Sequence, residues 1–355
     1  MFLAWNEIKK NKLRFIMIMG ILMLVSYLVF FLSGLATGLQ SLNRESIDKW
    51  NANAIVLTEE SDKSLGQSTM AIEDLDNIKA EDKAVLSQLN TIVNNGESKT
   101  NVALFGIRSD EFIMPNVTEG NAFTSENEVI ASDTLIEDGF NIGDKLSLSS
   151  TDEKLTIVGF TDEARYNAAP VLYGDLDTLR SIKYGEVADQ NQGVINAIVL
   201  RTDDITSVTS SDDLEVIALE DFINELPGYT AQSLTLNFMI YFLFAISAVI
   251  VTIFLYVLTV QKISMFGVMK AQGISNGYLA KSVISQTFIL AVIGVAIGLI
   301  LTIVTGAFLP SAVPVSFNYM TMIVYGVILI AFSVLGALIS VYTIVKIDPL
   351  KAIGG

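Results

Sequence analysis

Four long apolar segments limit what this chain can fold into more than any other feature of its sequence. They cover residues 15–39, 234–260, 283–309 and 319–345, and none of them contains a charged residue. A helix crosses about 30 Å of hydrocarbon with about 20 residues, so each segment is long enough to span a membrane. The sequence therefore predicts four transmembrane helices rather than four buried helices of a soluble protein. The apolar core of the first segment is too long for a cleaved signal peptide, so we expect it to be retained as the first span.

The basic residues beside these segments predict the orientation of the chain. They precede the first segment and follow the second and the fourth, at Lys9, Lys10, Lys12, Arg14, Lys262, Lys270, Lys346 and Lys351. Because basic flanks stay in the cytoplasm, both termini and residues 261–282 are expected there. Residues 41–230 and the short link 310–318 are then expected outside.

The distribution of charge supports this division. Residues 41–230 hold 13 basic and 36 acidic residues, a net charge of −23, whereas the remainder holds 9 basic and 2 acidic residues, a net charge of +7. An acidic domain of this kind repels phosphates, which argues against nucleic-acid binding. The chain has no Cys and no His, so disulfides, thiol nucleophiles, His-based triads and most zinc sites are excluded.

The segment between the first two spans has the mixed pattern of an α+β domain. Short apolar or alternating runs predict strands at 54–57, 102–107, 128–131, 145–148, 155–160, 196–200 and 215–218. Helices are predicted at 72–89, 133–138 and 175–182. Helical spacing also continues beyond the first span and resumes before the second, with a break at Pro227-Gly228, which predicts two helical stalks. The expected fold class is thus four transmembrane helices with a large α+β domain inserted between the first and the second.

The chain carries no recognisable catalytic motif. It has no GxxxxGK[ST] phosphate loop, no GxSxG and no HExxH, and no ionisable residue lies within a span. These absences argue against a free-standing enzyme, a proton-coupled carrier and a polar channel, and they favour an energy source on a partner chain. Gly34-x3-Gly38 and Gly294-x3-Gly298 are small-residue pairs that permit close helix contact.

The segment "QKISMFGVMKAQGISNGYLAKS", residues 261–282, is basic, contains no acid and is too polar to span a membrane. Its apolar residues recur every three to four positions, which predicts a short helix presenting Met265, Phe266 and Met269 beside Lys262 and Lys270. Such a helix either docks in a groove of a partner or rests on lipid, and the residues alone leave both alternatives open.

Three stretches resemble MacB/FtsX-type ABC transporter permeases. "QKISMFGVMKAQGIS" is similar to the coupling segment of that family, with matches at Lys262, Gly267, Lys270, Ala271, Gly273 and Ser275. Met265 stands where the family usually has Glu. "KIDPLKAIGG" resembles the closing motif of the family at Lys346, Asp348, Pro349 and Ala352. The inserted domain is similar to the extracytoplasmic core domain of the family, with glycines at 106, 120, 139, 143 and 159.

The resemblance implies a bacterial membrane protein that acts as a homodimer with two copies of a separate ABC ATPase. The permease would be non-catalytic, ATP would bind to the partner, and the coupling contacts would come from Lys262, Met265, Phe266, Gly267, Met269, Lys270, Ala271 and Gly273. It also implies this division: cytoplasmic N-terminal segment 1–14, first span and stalk 15–50, extracytoplasmic core domain 51–220, stalk and second span 221–260, coupling helix 261–282, third span 283–309, external loop 310–318, fourth span 319–345 and cytoplasmic tail 346–355.

Within the family, the stretches "LNRESIDKWNANAIVLTEESDKSLGQSTM" and "ARYNAAPVLYGDLDTLR" most resemble haem-exporter permeases of the HrtB type. Haem would then be the transported substrate, with no intrinsic cofactor or metal. Because His and Cys are absent, the candidate haem contacts are Glu45, Tyr166, Tyr229 and Met239, with Phe31 and Phe238 as apolar walls. Two alternatives keep the family: export of an antimicrobial peptide or lipoprotein, and FtsX-like signalling that controls a cell-wall hydrolase.

Overall fold

The computed structural model describes residues 12–208, 210–211, 213–310 and 313–345. Most of the predicted N-terminal segment 1–14 and the whole tail 346–355, with its closing motif, therefore lie outside the described residues. The chain divides into two compact units, one formed by residues 40–232 and the other by residues 1–39 and 233–355. We refer to them as the inserted domain and the membrane unit.

The helices and strands are, in chain order, α1 (Lys12–Asp48), β1 (Ala54–Thr58), β2 (Met70–Ala71), α2 (Asp74–Asn77), β3 (Asp82–Asn94), β4 (Lys99–Ile107), β5 (Glu119–Gly120), β6 (Glu128–Ser132), α3 (Thr134–Glu137), β7 (Lys145–Leu148), β8 (Lys154–Thr161), β9 (Arg165–Tyr166), β10 (Ala169–Asp175), α4 (Leu176–Tyr184), β11 (Val194–Ile195), β12 (Ala197–Arg201), β13 (Leu214–Ala218), α5 (Leu219–Asn224), α6 (Tyr229–Val260), α7 (Ile263–Ala271), α8 (Asn276–Ala307) and α9 (Tyr319–Val345). Short 3₁₀ turns cover Glu59–Ser61, Gly185–Asn191 and Ile205–Ser207.

Four of these helices, α1, α6, α8 and α9, are long and apolar enough to cross a membrane. The predicted fold class is therefore confirmed: four apolar helices, with an α+β domain between the first and the second. The predicted helical continuation of the first span is also present, because α1 runs unbroken to Asp48. On the return path α5 ends at Asn224, Gly228 adopts a left-handed conformation (φ +77°), and α6 begins at Tyr229.

Glycines bring α8 close to α1 within the membrane unit. A Cβ atom at Gly298 would lie 2.9 Å from the Met23 carbonyl oxygen, and one at Gly294 would lie 2.8 Å from the Leu22 Cβ. The Gly294-x3-Gly298 pair thus makes the close helix contact that its spacing permits. The Gly34-x3-Gly38 pair lies against the α8–α9 connection rather than against a helix. Gly34 adjoins Phe317, and Gly38 adjoins Pro314.

An eleven-stranded mixed sheet forms the inserted domain, with β13-β1-β12-β3-β4-β10-β6-β8-β5 as its main order. The pairs β4–β10 and β6–β8 are parallel, and the other pairs are antiparallel. Side chains alternate between its faces: Phe105 of β4 and Tyr173 of β10 enter the core on the side of Trp50, whereas Leu104 and Leu172 pack on the opposite side. The sheet thus has an apolar core on each face.

The predicted helix over 72–89 is wrong. Only Asp74–Asn77 is helical there, and β3 begins at Asp82 and runs to Asn94. The apolar residues of this stretch satisfy both a helical and a strand period, and pairing decides between them. β3 is bonded to β12 in its first half, where Leu86 faces Ala197, and to β4 in its second half, where Asn90 faces Ala103. Tertiary pairing therefore overrides local preference. The other two predicted helices correspond to α3 and α4, and the seven predicted strands overlap β1, β4, β6, β7, β8, β12 and β13.

Candidate functional site

The helix α7 has a well-defined beginning and end. It follows Lys262 and ends at Ala271, and after the cap residue Gln272 the left-handed backbone of Gly273 (φ +88°) lets its N–H donate to the Lys270 carbonyl at 2.9 Å. The next N–H, from Ile274, donates to the Met269 carbonyl at 3.1 Å, which completes a Schellman motif. The Ser275 hydroxyl then accepts from the Tyr278 N–H and caps α8. Gly273 and Ser275 therefore fix the sharp change of direction between α7 and α8.

The two faces of α7 have different surroundings. Phe266 is buried at 3% exposure against Leu279 and Val283 of α8, and Gly267 is also buried. Met265 and Val268 are exposed at 42% and 41%. The sequence-based expectation that Phe266 is presented to a partner is therefore wrong, since the bundle itself covers this ring. The outward surface consists of Ser264, Met265, Val268, Ala271 and Gln272, which we call the outer face of α7.

The inner side of α7 is attached to neighbouring helices of the membrane unit. Lys262 Nζ lies 5.1 Å from the centroid of the Phe15 ring on α1, a cation–π contact. A cavity of about 20 Å³ beneath α7 is lined by these two residues together with Phe266, Gln286 and Thr287. Met269 is partly buried and packs on the Phe266 cluster. A displacement of α7 would consequently move the N-terminal part of α1 and the beginning of α8.

Arg44, near the end of α1, joins three elements of the inserted domain. Its guanidinium lies 2.7 Å from Asp48 on α1, 2.5 Å from Glu220 on α5 and 3.5 Å from the Tyr229 hydroxyl at the start of α6. The Asn43 side chain donates to the Gln232 amide oxygen at 3.2 Å. These contacts fix the end of α1 to the segment where the chain returns toward α6.

The hairpin between β9 and β10 binds the same end of α1. Asn167 and Ala168 both have positive φ, at 49° and 64°, as a type I′ turn requires. Their N–H groups donate to the Asn43 and Leu42 carbonyls at 3.2 and 3.0 Å. An ion pair between Arg165 and Glu45 at 3.3 Å lies beside this turn. The last turns of α1 are thus held by the sheet as well as by α5.

Three of the six candidate haem contacts, Glu45, Tyr166 and Tyr229, lie around this end of α1. The Glu45 carboxylate is occupied by Arg165, and the Tyr229 hydroxyl lies beside Arg44. Tyr166 is buried, with its ring edge-on to Phe105 at 5.3 Å between centroids. Burial raises the pKa of the Tyr166 hydroxyl well above its ordinary value, which disfavours the tyrosinate that would bind iron.

The other three candidates belong to the membrane unit. The Phe31 ring stacks on Tyr27 with 5.9 Å between centroids. Phe238 and Met239 lie on α6 and are exposed at 58% and 38%. Of the six candidates, the two on α6 are therefore the most accessible to a lipid-dissolved molecule.

Comparisons with known proteins fit this architecture. Residues 15–214, more than half of the chain, match the MacB-like periplasmic core domain, and residues 237–349 match the FtsX-like permease C-terminal domain. The chain therefore belongs to the MacB/FtsX family of ABC transporter permeases, and it is a multi-pass membrane protein.

Individual relatives extend over the whole chain. The "Putative hemin transport system permease protein HrtB" of Staphylococcus epidermidis is 28% identical over 360 residues, covering 100% of this chain and 99% of the relative. The protein of the same name from Staphylococcus haemolyticus is 25% identical over 357 residues with the same coverage. An uncharacterized ABC transporter permease of Mycobacterium tuberculosis is 24% identical over 362 residues. Among solved structures, the extracellular domain of the noncanonic ABC-type transporter YknZ is 12% identical, with a TM-score of 0.32 over 44% of this chain and 84% of that one.

Proposed function

We propose that this chain is the permease subunit of an ABC exporter that extrudes haem, or a similar amphipathic toxic compound, from the membrane. The proposed substrate is supported by the full-length similarity of this chain to the HrtB proteins of two staphylococci. The permease itself is non-catalytic, and ATP is bound and hydrolysed on two copies of a separate ABC ATPase. Two copies of the permease form the transporter.

The outer face of α7 is the proposed contact with the ATPase. Its exposed apolar side chains, Met265 and Val268, suit a groove on a partner, and Lys262 and Lys270 flank them. Movement imposed by the ATPase on α7 passes to α1 through the Lys262–Phe15 contact and to α8 through Phe266. At the other end of α1, Arg44 and the β9–β10 hairpin transmit this movement to the sheet. In this scheme Phe266 and Gly267 hold α7 in place rather than touch the ATPase.

The proposed orientation places α7 and both termini in the cytoplasm and the inserted domain outside. It is supported by the basic residues beside α1 and α7 and by the absence of Asp and Glu between residues 231 and 345. Haem enters from the outer leaflet in this arrangement. Phe238 and Met239 supply exposed apolar and thioether contacts on α6, and Phe31 supplies an apolar wall. Glu45 becomes an iron ligand only when its ion pair with Arg165 opens.

Haem-stimulated ATP hydrolysis tests the substrate. The chain and its cognate ATPase are reconstituted in lipid nanodiscs, and hydrolysis is measured with haem, with a cationic antimicrobial peptide and with neither. Stimulation by haem alone, together with haem sensitivity of a deletion strain, is the expected result. Stimulation by the peptide alone would favour the peptide exporter. Capture of a cell-wall hydrolase by the inserted domain, without any haem response, would favour an FtsX-like signalling subunit.

Two substitutions on the outer face of α7, each of an exposed apolar residue to Glu, test the docking surface. Val268→Glu places a charge in the proposed apolar contact, so we expect it to lower ATPase co-purification and haem-stimulated hydrolysis about tenfold or more. Met265→Glu adds the same charge one turn earlier, at the position where relatives of this family usually have Glu, and should retain both. Unchanged co-purification and haem-stimulated hydrolysis in the Val268→Glu variant would contradict this assignment of the docking face.

A further inference from the structure

The arginines of the inserted domain differ in how many partners their guanidinium groups have within the protein. The domain has five: Arg44, Arg108, Arg165, Arg180 and Arg201. Arg44 and Arg165 form the ion pairs that hold α1, and Arg201 donates to the Trp50 and Asn51 carbonyls at 3.0 and 2.9 Å while stacking on Phe112. The two that remain, Arg108 and Arg180, both line one cleft.

This cleft has a volume of about 340 Å³, within the range of roughly 300–1,000 Å³ that small-molecule sites occupy. Arg180 Nη1 bonds to Asp177 at 2.5 Å, but its Nε–H is buried and has no hydrogen-bond partner among the residues that the structure describes. Arg108 has a 3.6 Å ion pair with Glu111. Each of these two guanidinium groups therefore keeps N–H donors beyond its one ion pair.

The rest of the lining balances these cations and adds an apolar surface. Asp175 and Asp177 provide two carboxylates, and Asp175 Oδ1 accepts from the Asp177 N–H at 2.9 Å. Ile72, Leu176 and Val194 provide the apolar surface. Two guanidinium groups and two carboxylates leave the cleft close to neutral within a domain of net charge −23. The negative charge of the surrounding domain repels ligands with a net negative charge but does not repel a neutral zwitterion.

We propose that this cleft binds a small zwitterion of the α-amino acid class with an apolar side chain. The ligand carboxylate accepts from the guanidinium groups of Arg108 and Arg180, and its ammonium group donates to Asp175 and Asp177. Its side chain lies against Ile72, Leu176 and Val194. The site is separate from the proposed haem contacts. It gives the inserted domain a small-molecule binding site of its own.

Isothermal titration calorimetry on the full chain in nanodiscs tests the proposal with L-leucine as the probe. Two analogues dissect it: 4-methylpentanoate lacks the ammonium group, and 3-methylbutylamine lacks the carboxylate. We expect leucine to bind at least about tenfold more tightly than either analogue. Undetectable leucine binding at millimolar concentration would overturn the proposal, and so would equal binding of leucine and 4-methylpentanoate.

Charge-loss variants locate the binding in the cleft. Arg180→Gln should weaken leucine binding about tenfold or more, because a neutral amide replaces the charged donor. Arg108→Gln is the second test if the Arg180 variant fails to fold. Lys145→Gln removes one positive charge at an exposed position of β7, outside the cleft, and should bind leucine as the parent does. Loss of binding in the Lys145 variant, or retention in both arginine variants, would contradict the site.

Discussion

Glu111, in the connection between β4 and β5, closes an open strand edge with a carboxylate. Its Oε2 accepts from the Val85 N–H at 2.7 Å, at a point where β3 is not yet paired with β4. The side chain is only 11% exposed. Burial raises the pKa of this carboxyl to about 7, and neither the Val85 hydrogen bond nor Arg108 offsets that effect. The group therefore titrates near neutral pH.

Glu111→Gln should make the stability of the inserted domain less dependent on pH. The folded pKa lies above the unfolded value of 4.5, so the folded state binds the proton more tightly, and ionisation destabilises it fully above about pH 7. The variant keeps an acceptor for Val85 without the charge. We expect its apparent unfolding temperature, followed by Trp fluorescence, to exceed that of the parent more at pH 8 than at pH 5. The same difference at both values would show that Glu111 does not titrate in this range.

The outer face of α7 shows which part of a site could be predicted from residues alone. Helical spacing correctly groups the apolar positions of α7, but it does not say which element covers them. Phe266 is covered by Leu279 and Val283, which follow in the chain only after the turn at Gly273. Val268, one of the two large exposed side chains on the outer face, was not among the predicted contacts. Its exposure depends on the angle set by the Schellman motif, which composition does not reveal.

The same limit applies to whole elements. The strands that alternate clearly, such as β7 and β8, were predictable, and so were the four apolar helices. β3 was not, because its residues fit two periods and only the registers with β12 and β4 select one. β10 begins at Ala169 next to Pro170 and lies parallel to β4, a long-range pairing without a local signal. Elements set by local periodicity were therefore predictable, whereas elements set by pairing were not.

Gly38 on α1 should tolerate substitution much less than Gly20 on the same helix. A Cβ atom at Gly38 would overlap the backbone of Pro314, whereas one at Gly20 meets no atom within 4 Å. Gly38→Ala must displace the α8–α9 link, so we expect a loss of about 1–3 kcal/mol in stability. Gly20→Ala should be neutral or slightly stabilising, because Ala favours a helix by about 1 kcal/mol over Gly. Thermal unfolding of both variants in detergent makes the comparison, and equal effects would contradict the close contact.

Arg44 and Glu220 should be energetically coupled, because their ion pair joins α1 to α5. The guanidinium is 21% exposed and also contacts Asp48, which places it in a network rather than an isolated surface pair. A double-mutant cycle of Arg44→Gln and Glu220→Gln should give a coupling energy of about 0.5–1 kcal/mol in urea unfolding. The pair Lys63–Glu225, whose charged atoms are 4.0 Å apart and whose cation is more exposed than Arg44, is the control and should give about zero. Coupling no larger than that of the control would mean that Arg44 does not hold these elements together.

At the scale of the whole molecule, charge separates the two units more sharply than any motif does. The acidic residues lie almost entirely in residues 41–230, and residues 231–345 contain none. An acidic domain is soluble in water at either membrane surface, but a basic flank resists translocation, so the lysines decide the orientation. The sequence therefore contains the information for orientation.

Cysteine labelling should reveal this orientation directly, since the chain has no native Cys to give background. Lys154→Cys places a thiol at an exposed position of β8, and Gln272→Cys places one at the exposed end of α7. In right-side-out vesicles a membrane-impermeant maleimide should label the first variant, and it should label the second only after permeabilisation. Ala131→Cys, buried in β6, should stay unlabelled in the folded protein under both conditions. Labelling of Gln272→Cys in sealed vesicles would place α7 outside, where no ATPase has access to ATP, and the proposed coupling through α7 would fail with it.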